Sequence, residues 1–497
     1  MISQPTAFTR IACALLAAML SCAPVHAQLP SLGGNGELSV SAEKRLGQQV
    51  ARELFRDPDY IEDPVIDEYV LKIWTRLLAA ARARGDLGSD IDDRFAWEVL
   101  IGKDREINAF ALPGGYMGLN LGLISATSSA DEVAGVLGHE LTHVTQRHIS
   151  RMMTQQAQQM PLMIAAMLLG VLAAGRSPDA AQAAIAGSQA IAAQGQINFT
   201  RDMEREADRI GMQVAMEAGY TPEGFKSMFE KLQLASRLND SGNFPYLRTH
   251  PMTTERIAEI QQRTQLAPPS PPAPPDMVHL MMAGRSRVMS DPGVDVLRSY
   301  IASDALREEP ANRAKEAGAL YAGALAYAKL REFTPALATA HRLEKLTAGN
   351  DEASRLAHLL TAEIALLSGD PKPAESLADA SGRPELVLSS QARIHDGQGA
   401  AASDKLQTWV ALHPRDAQVW QLLGQAYGAQ GQTLRSIRAD AESRAAQLDW
   451  EGALDRLRAA QEFSRRGAGA RDHIEASIID ARAREMQSLL REERLQR

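Results

Sequence analysis

Five consecutive residues, His139-Glu140-Leu141-Thr142-His143, concentrate the chemistry that this chain can do. Val133, Val136 and Leu137 precede them at core-facing helical spacing, so the segment reads as the middle of a helix. Residues four apart lie one above the other on a helix face, and the imidazoles at 139 and 143 can converge on one tetrahedral ion. Glu140 then flanks that ion as the base that takes a proton from the attacking water in metal-assisted peptide hydrolysis. The bland alternative, a helix with satisfied surface histidines, makes the spacing a coincidence in a chain with only 11 His.

Two histidines leave such an ion short of ligands. The longer motif H-E-x-x-H-x-x-G-x-x-H needs Gly at 146 and His at 149, where this chain has Gln146 and Ile149. His148 is one position off that register and is expected at the helix end or behind the ligands. A carboxylate from a second helix is the other solution. Glu204 and Asp208 share a helix face, which lets Glu204 bind the metal while Asp208 receives the free N–H of a ligand imidazole; Glu206 points elsewhere. A solvated charge helix is the competing reading of that stretch.

His250 stands between Thr249 and Pro251, where a loop could bring it to the metal. There it would act as a fourth ligand and gate, or face the developing oxyanion; otherwise it is a surface loop residue. Arg256 is a candidate transition-state stabiliser. Asn108, Ala109, Phe110 and Ala111 read as an edge strand whose open backbone groups pair with an extended substrate, against the alternative of an ordinary core hairpin.

The elements that must position these groups are mostly helices. Residues 41–55 and 65–83 show helical apolar spacing, with Pro64 setting a helix start. Residues 95–101 and 107–112 look like strands, and Pro113-Gly114-Gly115 marks the turn into 116–121. The metal helix is expected to run from Asp131 to about Met153. Residues 160–175 then carry no charged or polar side chain, and an Ala/Ile-rich stretch follows over 180–193. The run is shorter than a spanning helix, so a buried or surface-lying helical hairpin is expected; membrane contact or an apolar lid are the alternatives.

Residues 268–275 are almost all proline, which marks a semi-rigid linker over 267–276 between units at 28–266 and 277–497. Trp420, Leu423, Gly424 and Tyr427 match the W-x₂-L-G-x₂-Y pattern of a tetratricopeptide repeat, and Tyr327, Phe333, Ala336 and Ala340 suggest a second; an unrelated helical bundle is the rival. The fold class expected is therefore mainly α: an α+β catalytic domain with a small β-sheet and the metal helix, followed by an α-helical repeat solenoid. Residues 1–27 read as a signal peptide, with Arg10, an apolar run over 11–20 and Val25-His26-Ala27 before the cut, which directs the chain to the bacterial periplasm. A retained anchor and lipidation at Cys22 are the rival fates. With 53 Lys+Arg against 61 Asp+Glu, the chain lacks the basic balance of a nucleic-acid partner.

Residues 108–116, Gly138-His139-Glu140-Leu141-Thr142-His143, Glu204-x-Glu206-Ala207-Asp208 and Thr249-His250-Pro251, in that order, resemble the zinc peptidase family of the CAAX prenyl endoprotease and the heat-shock protease HtpX. The resemblance is strong over about 40–265 and architectural from 277 onward. It is greatest to a periplasmic branch that joins a secreted catalytic domain to C-terminal tetratricopeptide repeats. It implies one Zn²⁺ per chain held by His139, His143 and Glu204, with Glu140 as base. It also implies unfolded or misassembled outer-membrane proteins as substrates, contact with outer-membrane assembly machinery through the repeats, and membrane contact that is peripheral at most. The rival class is a repeat-based chaperone or assembly scaffold with a latent metal site. Both cysteines, Cys13 and Cys22, lie in the signal segment, so no disulfide joins the two parts after its removal.

Overall fold

The computed structural model describes residues 38–157, 178–237, 246–266, 275–290, 292–305, 312–465 and 472–495. The signal segment, the apolar run at 160–175 and most of the proline run lie outside the described residues; 180–193 falls within a helix.

Helix α1 (Val40–Arg56) begins where the Ser39 hydroxyl accepts the Ala42 N–H. Helix α2 (Pro64–Arg84) starts where the Asp63 carboxylate accepts the N–H groups of Val65 and Ile66, with Pro64 at the position that needs no donor, and stops at Gly85. Between and after them lies a four-stranded sheet in the order β1-β2-β4-β3: β1 (Tyr60–Ile61), β2 (Glu98–Gly102), β3 (Ala109–Ala111) and β4 (Tyr116–Asn120). β3 is antiparallel to β4 and ends the sheet, while β2 and β4 run parallel. The strand β1 and the parallel pairing go beyond what periodicity discloses, since two residues carry no period and pairing is a tertiary matter.

Helix α3 (Ala130–Thr145) carries the two motif histidines. It is shorter than expected from the apolar pattern: the chain turns at Gln146–Arg147 and a new helix runs over 148–157. Arg147 adopts φ 53, held by its guanidinium on Glu43 of α1 and on the Leu38 carbonyl, and that anchor ends the helix. Helices α4 (Pro178–Glu217), α5 (Pro222–Arg237) and α6 (Thr254–Leu266) follow before the proline run.

Beyond the proline run, α7 (Met277–Met289) leads into helices that pack in succession, among them Arg313–Lys329 on Phe333–Thr347 and Ala417–Ala429 on Thr433–Ala446. Trp420, Leu423 and Tyr427 are buried along the second pair. The proline run is a boundary of composition rather than of packing. Met281, Met282 and Val288 of α7 share one continuous core with Val65, Trp74 and Leu77 of α2. Across the same junction, buried Arg285 bonds Asp63 and Glu363, both at 2.7 Å. Arg355 joins Glu68 to Glu385, and Arg383 joins Asp67 to Asp416. Among the described residues no helix is long and apolar enough to cross a membrane.

Candidate metal centre and active site

The first turn of α3 is capped on both sides: the Ser129 hydroxyl accepts the Glu132 N–H, and the Glu132 carboxylate accepts the Ser128 N–H at 2.7 Å. Val133, Leu137 and Leu141 are buried and fix the rotation of the helix about its axis. α4 crosses α3 at two glycines. A Cβ added to Gly138 would sit 2.9 Å from the Gly211 carbonyl oxygen, and one on Gly211 would sit 2.8 Å from the Gly138 backbone and the His139 nitrogen. Only hydrogen fits there, so the helices approach closely enough for one and two turns of α4 beyond the crossing to bring Asp208 and Glu204 onto the histidines.

His139, His143, Glu204 and His250 each offer a ligand atom, and these atoms all lie within 4.8 Å of one another. His143 Nε2 is 3.0 Å from His139 Nε2, and His250 Nδ1 is 3.0 Å from Glu204 Oε1. Glu204 Oε2 lies 3.4 Å from His139 Nε2. On the opposite side of that ring, His139 Nδ1 is 3.0 Å from Asp208 Oδ1, at ion-pair distance though not along an ideal hydrogen-bond direction. Glu140 is buried; its Oε2 accepts the Ala111 N–H of β3 at 3.0 Å, and its Oε1 has no hydrogen-bond partner among the described residues.

The electrostatics of this cluster call for a cation. Burial opposes protonation of His139, but the carboxylates of Asp208 and Glu204 outweigh it and push the imidazole up to about 10. Burial, with His139 beside it, holds His143 well below the usual range. Burial works to raise Glu204, yet hydrogen bonds with His139 and His250 keep its carboxyl well below the ordinary value. Two imidazoles and a carboxylate, with a buried glutamate oxygen that makes no hydrogen bond facing them, fit a divalent ion and its water.

The residues singled out by sequence fall into two groups. His139, Glu140, His143, Glu204 and His250 come together at the centre, with Asp208 directly behind and the Asn108–Ala111 segment alongside as the sheet edge. Arg256 lies on the carboxylates of Asp208 and Glu204. All three of its guanidinium nitrogens are engaged, on both Asp208 oxygens, on Glu204 Oε2 at 2.9 Å and on the Pro251 carbonyl. Two buried carboxylates, Glu204 at the centre and Asp208 behind it, need a positive charge, and Arg256 supplies one. Tyr246 is an addition: its ring stacks on His250 at 4.5 Å between centroids, and its carbonyl accepts the His250 N–H. The i, i+4 spacing of Tyr246 and His250 was the available signal.

Two crossing helices that supply imidazoles and a carboxylate, with a second glutamate aimed at the gap and a strand edge beside it, define a metallopeptidase centre. The model of peptidase family M48 matches residues 78–264, a span that contains every one of these groups. A putative beta-barrel assembly-enhancing protease of Vibrio cholerae is 31% identical over 467 residues, 92% of this chain and 94% of that protein. The beta-barrel assembly-enhancing protease of Escherichia coli K12 is 29% identical over 91% of each chain. A shorter relative, metalloprotease LoiP of the same organism, is 28% identical, with 50% of this chain covering 96% of it. The chain belongs to peptidase family M48.

Proposed function

We propose that the chain is a zinc-dependent endopeptidase of the bacterial periplasm that degrades misfolded or stalled outer-membrane proteins and assists their assembly. The observation that carries the reading is the meeting of four ligand atoms within 4.8 Å beside a buried Glu140 oxygen that makes no hydrogen bond. The names of the full-length relatives support the substrate class, and the export segment expected at 1–27 supports the compartment. We assign catalysis to 28–266 and partner binding to a tetratricopeptide-like array over 277–497; the match of the peptidase family to residues 78–264 supports the first assignment.

In this account His139, His143 and Glu204 hold zinc, a metal suited to nitrogen and carboxylate ligands in a tetrahedron. When bound, the ion supplies Lewis-acid polarisation of the scissile carbonyl and charge to balance the oxyanion. The Ala111 N–H holds one oxygen of Glu140 and so aims the other into the cluster, where it takes the proton of the attacking water and returns it to the leaving amine. Bonds from Leu112 to Tyr116 and from Asn120 to Asn108 turn the backbone groups of alternate β3 residues toward β4. Those of Ala109 and Ala111 therefore turn away from β4; Ala109 is buried and the Ala111 N–H is taken by Glu140, which leaves the Ala111 carbonyl as the group where an extended peptide would pair by backbone, with little regard to its side chains.

His250 fits a gate. Its Nε2 is 3.3 Å from Glu140 Oε1, so the ring stands between the base and the ligands. That observation also favours the second reading, an assembly scaffold with a latent site. Incubating the full chain with an unfolded outer-membrane β-barrel protein, with chelator and then with added zinc, separates them. Chelator-sensitive cleavage restored by zinc is expected; suppression of aggregation without cleavage in any metal state would leave the scaffold.

A further inference from the structure

His148 and Glu206 have no part in the chemistry above, yet they touch it. In an unbroken helix residue 148, five positions after His143, would lie about 140° away around the axis. The left-handed turn at Arg147 instead brings buried His148 back onto His143, with their Nδ1 atoms 2.9 Å apart. On its far side His148 Nε2 is 3.0 Å from Glu206 Oε2, an oxygen that also accepts from Arg151 at 2.9 Å.

The order of donors along this chain of bonds follows from Glu206. A carboxylate only accepts, so the ring nitrogen of His148 that faces it carries the hydrogen, and the Nδ1 lone pair faces His143. His143 must then donate from Nδ1. Its Nε2 is left with the lone pair, pointing toward His139 and Glu204.

We propose that His148 and Glu206 are positioning residues for His143, fixing the ring orientation and tautomer in which its Nε2 binds the metal. The inference rests on the reading of His143 as a ligand. It gives each motif histidine its own support from behind: Asp208 for His139, and an imidazole backed by a carboxylate for His143. Such outer partners typically contribute ~10- to 100-fold in metal affinity.

The test is zinc affinity of the full chain, measured by competition with a chromogenic chelator, alongside the unfolding temperature of each metal-free variant. His148→Leu should weaken zinc ~10- to 100-fold. His148→Asn, whose Oδ1 replaces the accepting Nδ1, should recover most of that loss. Glu206→Ala should weaken zinc in the same direction and decides the matter if His148→Leu does not fold. Zinc binding by His148→Leu or Glu206→Ala at wild-type strength would overturn the inference, as would an Asn variant no better than Leu. A wild-type chain that binds no zinc would fail the peptidase reading itself, a different result from a wild type that binds and a variant that binds equally.

Discussion

The buried Glu140 oxygen and the His250 ring beside it define the decisive contact at the scale of residues. The oxygen makes no hydrogen bond and meets only His250 Nε2 at 3.3 Å, and a buried acceptor left so is costly; the site bears that cost where the mechanism puts a water. A ring inserted at that point blocks the water, while a ring facing the oxyanion would help it. The insertion of His250 among the ligands favours the block, so His250→Ala should cleave casein faster than wild type at saturating zinc. A fall of ~10²–10³ with zinc retained would assign it to the oxyanion instead. The spacing of His139 and His143 and the shared face of Glu204 and Asp208 were legible because helical period converts separation directly into direction. The partners of Arg256 were not, because they depend on which carboxylates the fold brings within reach, here the buried Glu204 and Asp208.

At the scale of elements, the close crossing of α3 and α4 sets the ligand geometry. Gly211→Ala would place a carbon 2.8 Å from the backbone of Gly138 and His139, and no flexible side chain is there to yield. The helices must separate, at roughly 1–3 kcal/mol by the usual cost of overpacking. We expect a lower unfolding temperature for the metal-free variant and weaker zinc binding, since Glu204 and Asp208 move with α4; unchanged values of both would show that the crossing is looser than described. Helices α1 and α2 were readable from apolar spacing and caps, and the edge position of β3 from its sequence context. The end of α3 was not, for Gln146–Arg147 contains neither Gly nor Pro. The break is imposed from outside, by Glu43 and the Leu38 carbonyl on Arg147.

The whole molecule is held together across the proline run rather than divided by it. Met281, Met282 and Val288 of α7 are essentially unexposed and complete the core that α2 begins. A chain ending at Leu266 should therefore melt below one ending at Ser290; equal melting temperatures would place α7 with the C-terminal helices alone. Composition marked the linker, but which side the next helix packs on is decided by buried contacts that no local pattern records. With no cysteine after Cys22, the arginine bridges at Asp63, Glu68 and Asp67 do the joining. We propose that this assembly serves one hydrolytic site, with zinc on His139, His143 and Glu204 and Glu140 as its base. Zinc content and casein cleavage measured together on wild type and Glu140→Gln test it most directly. Both proteins should hold one zinc per chain and only the wild type should cleave; a Glu140→Gln protein that cleaves at the wild-type rate, or a wild type that cleaves without metal, would rule this assignment out.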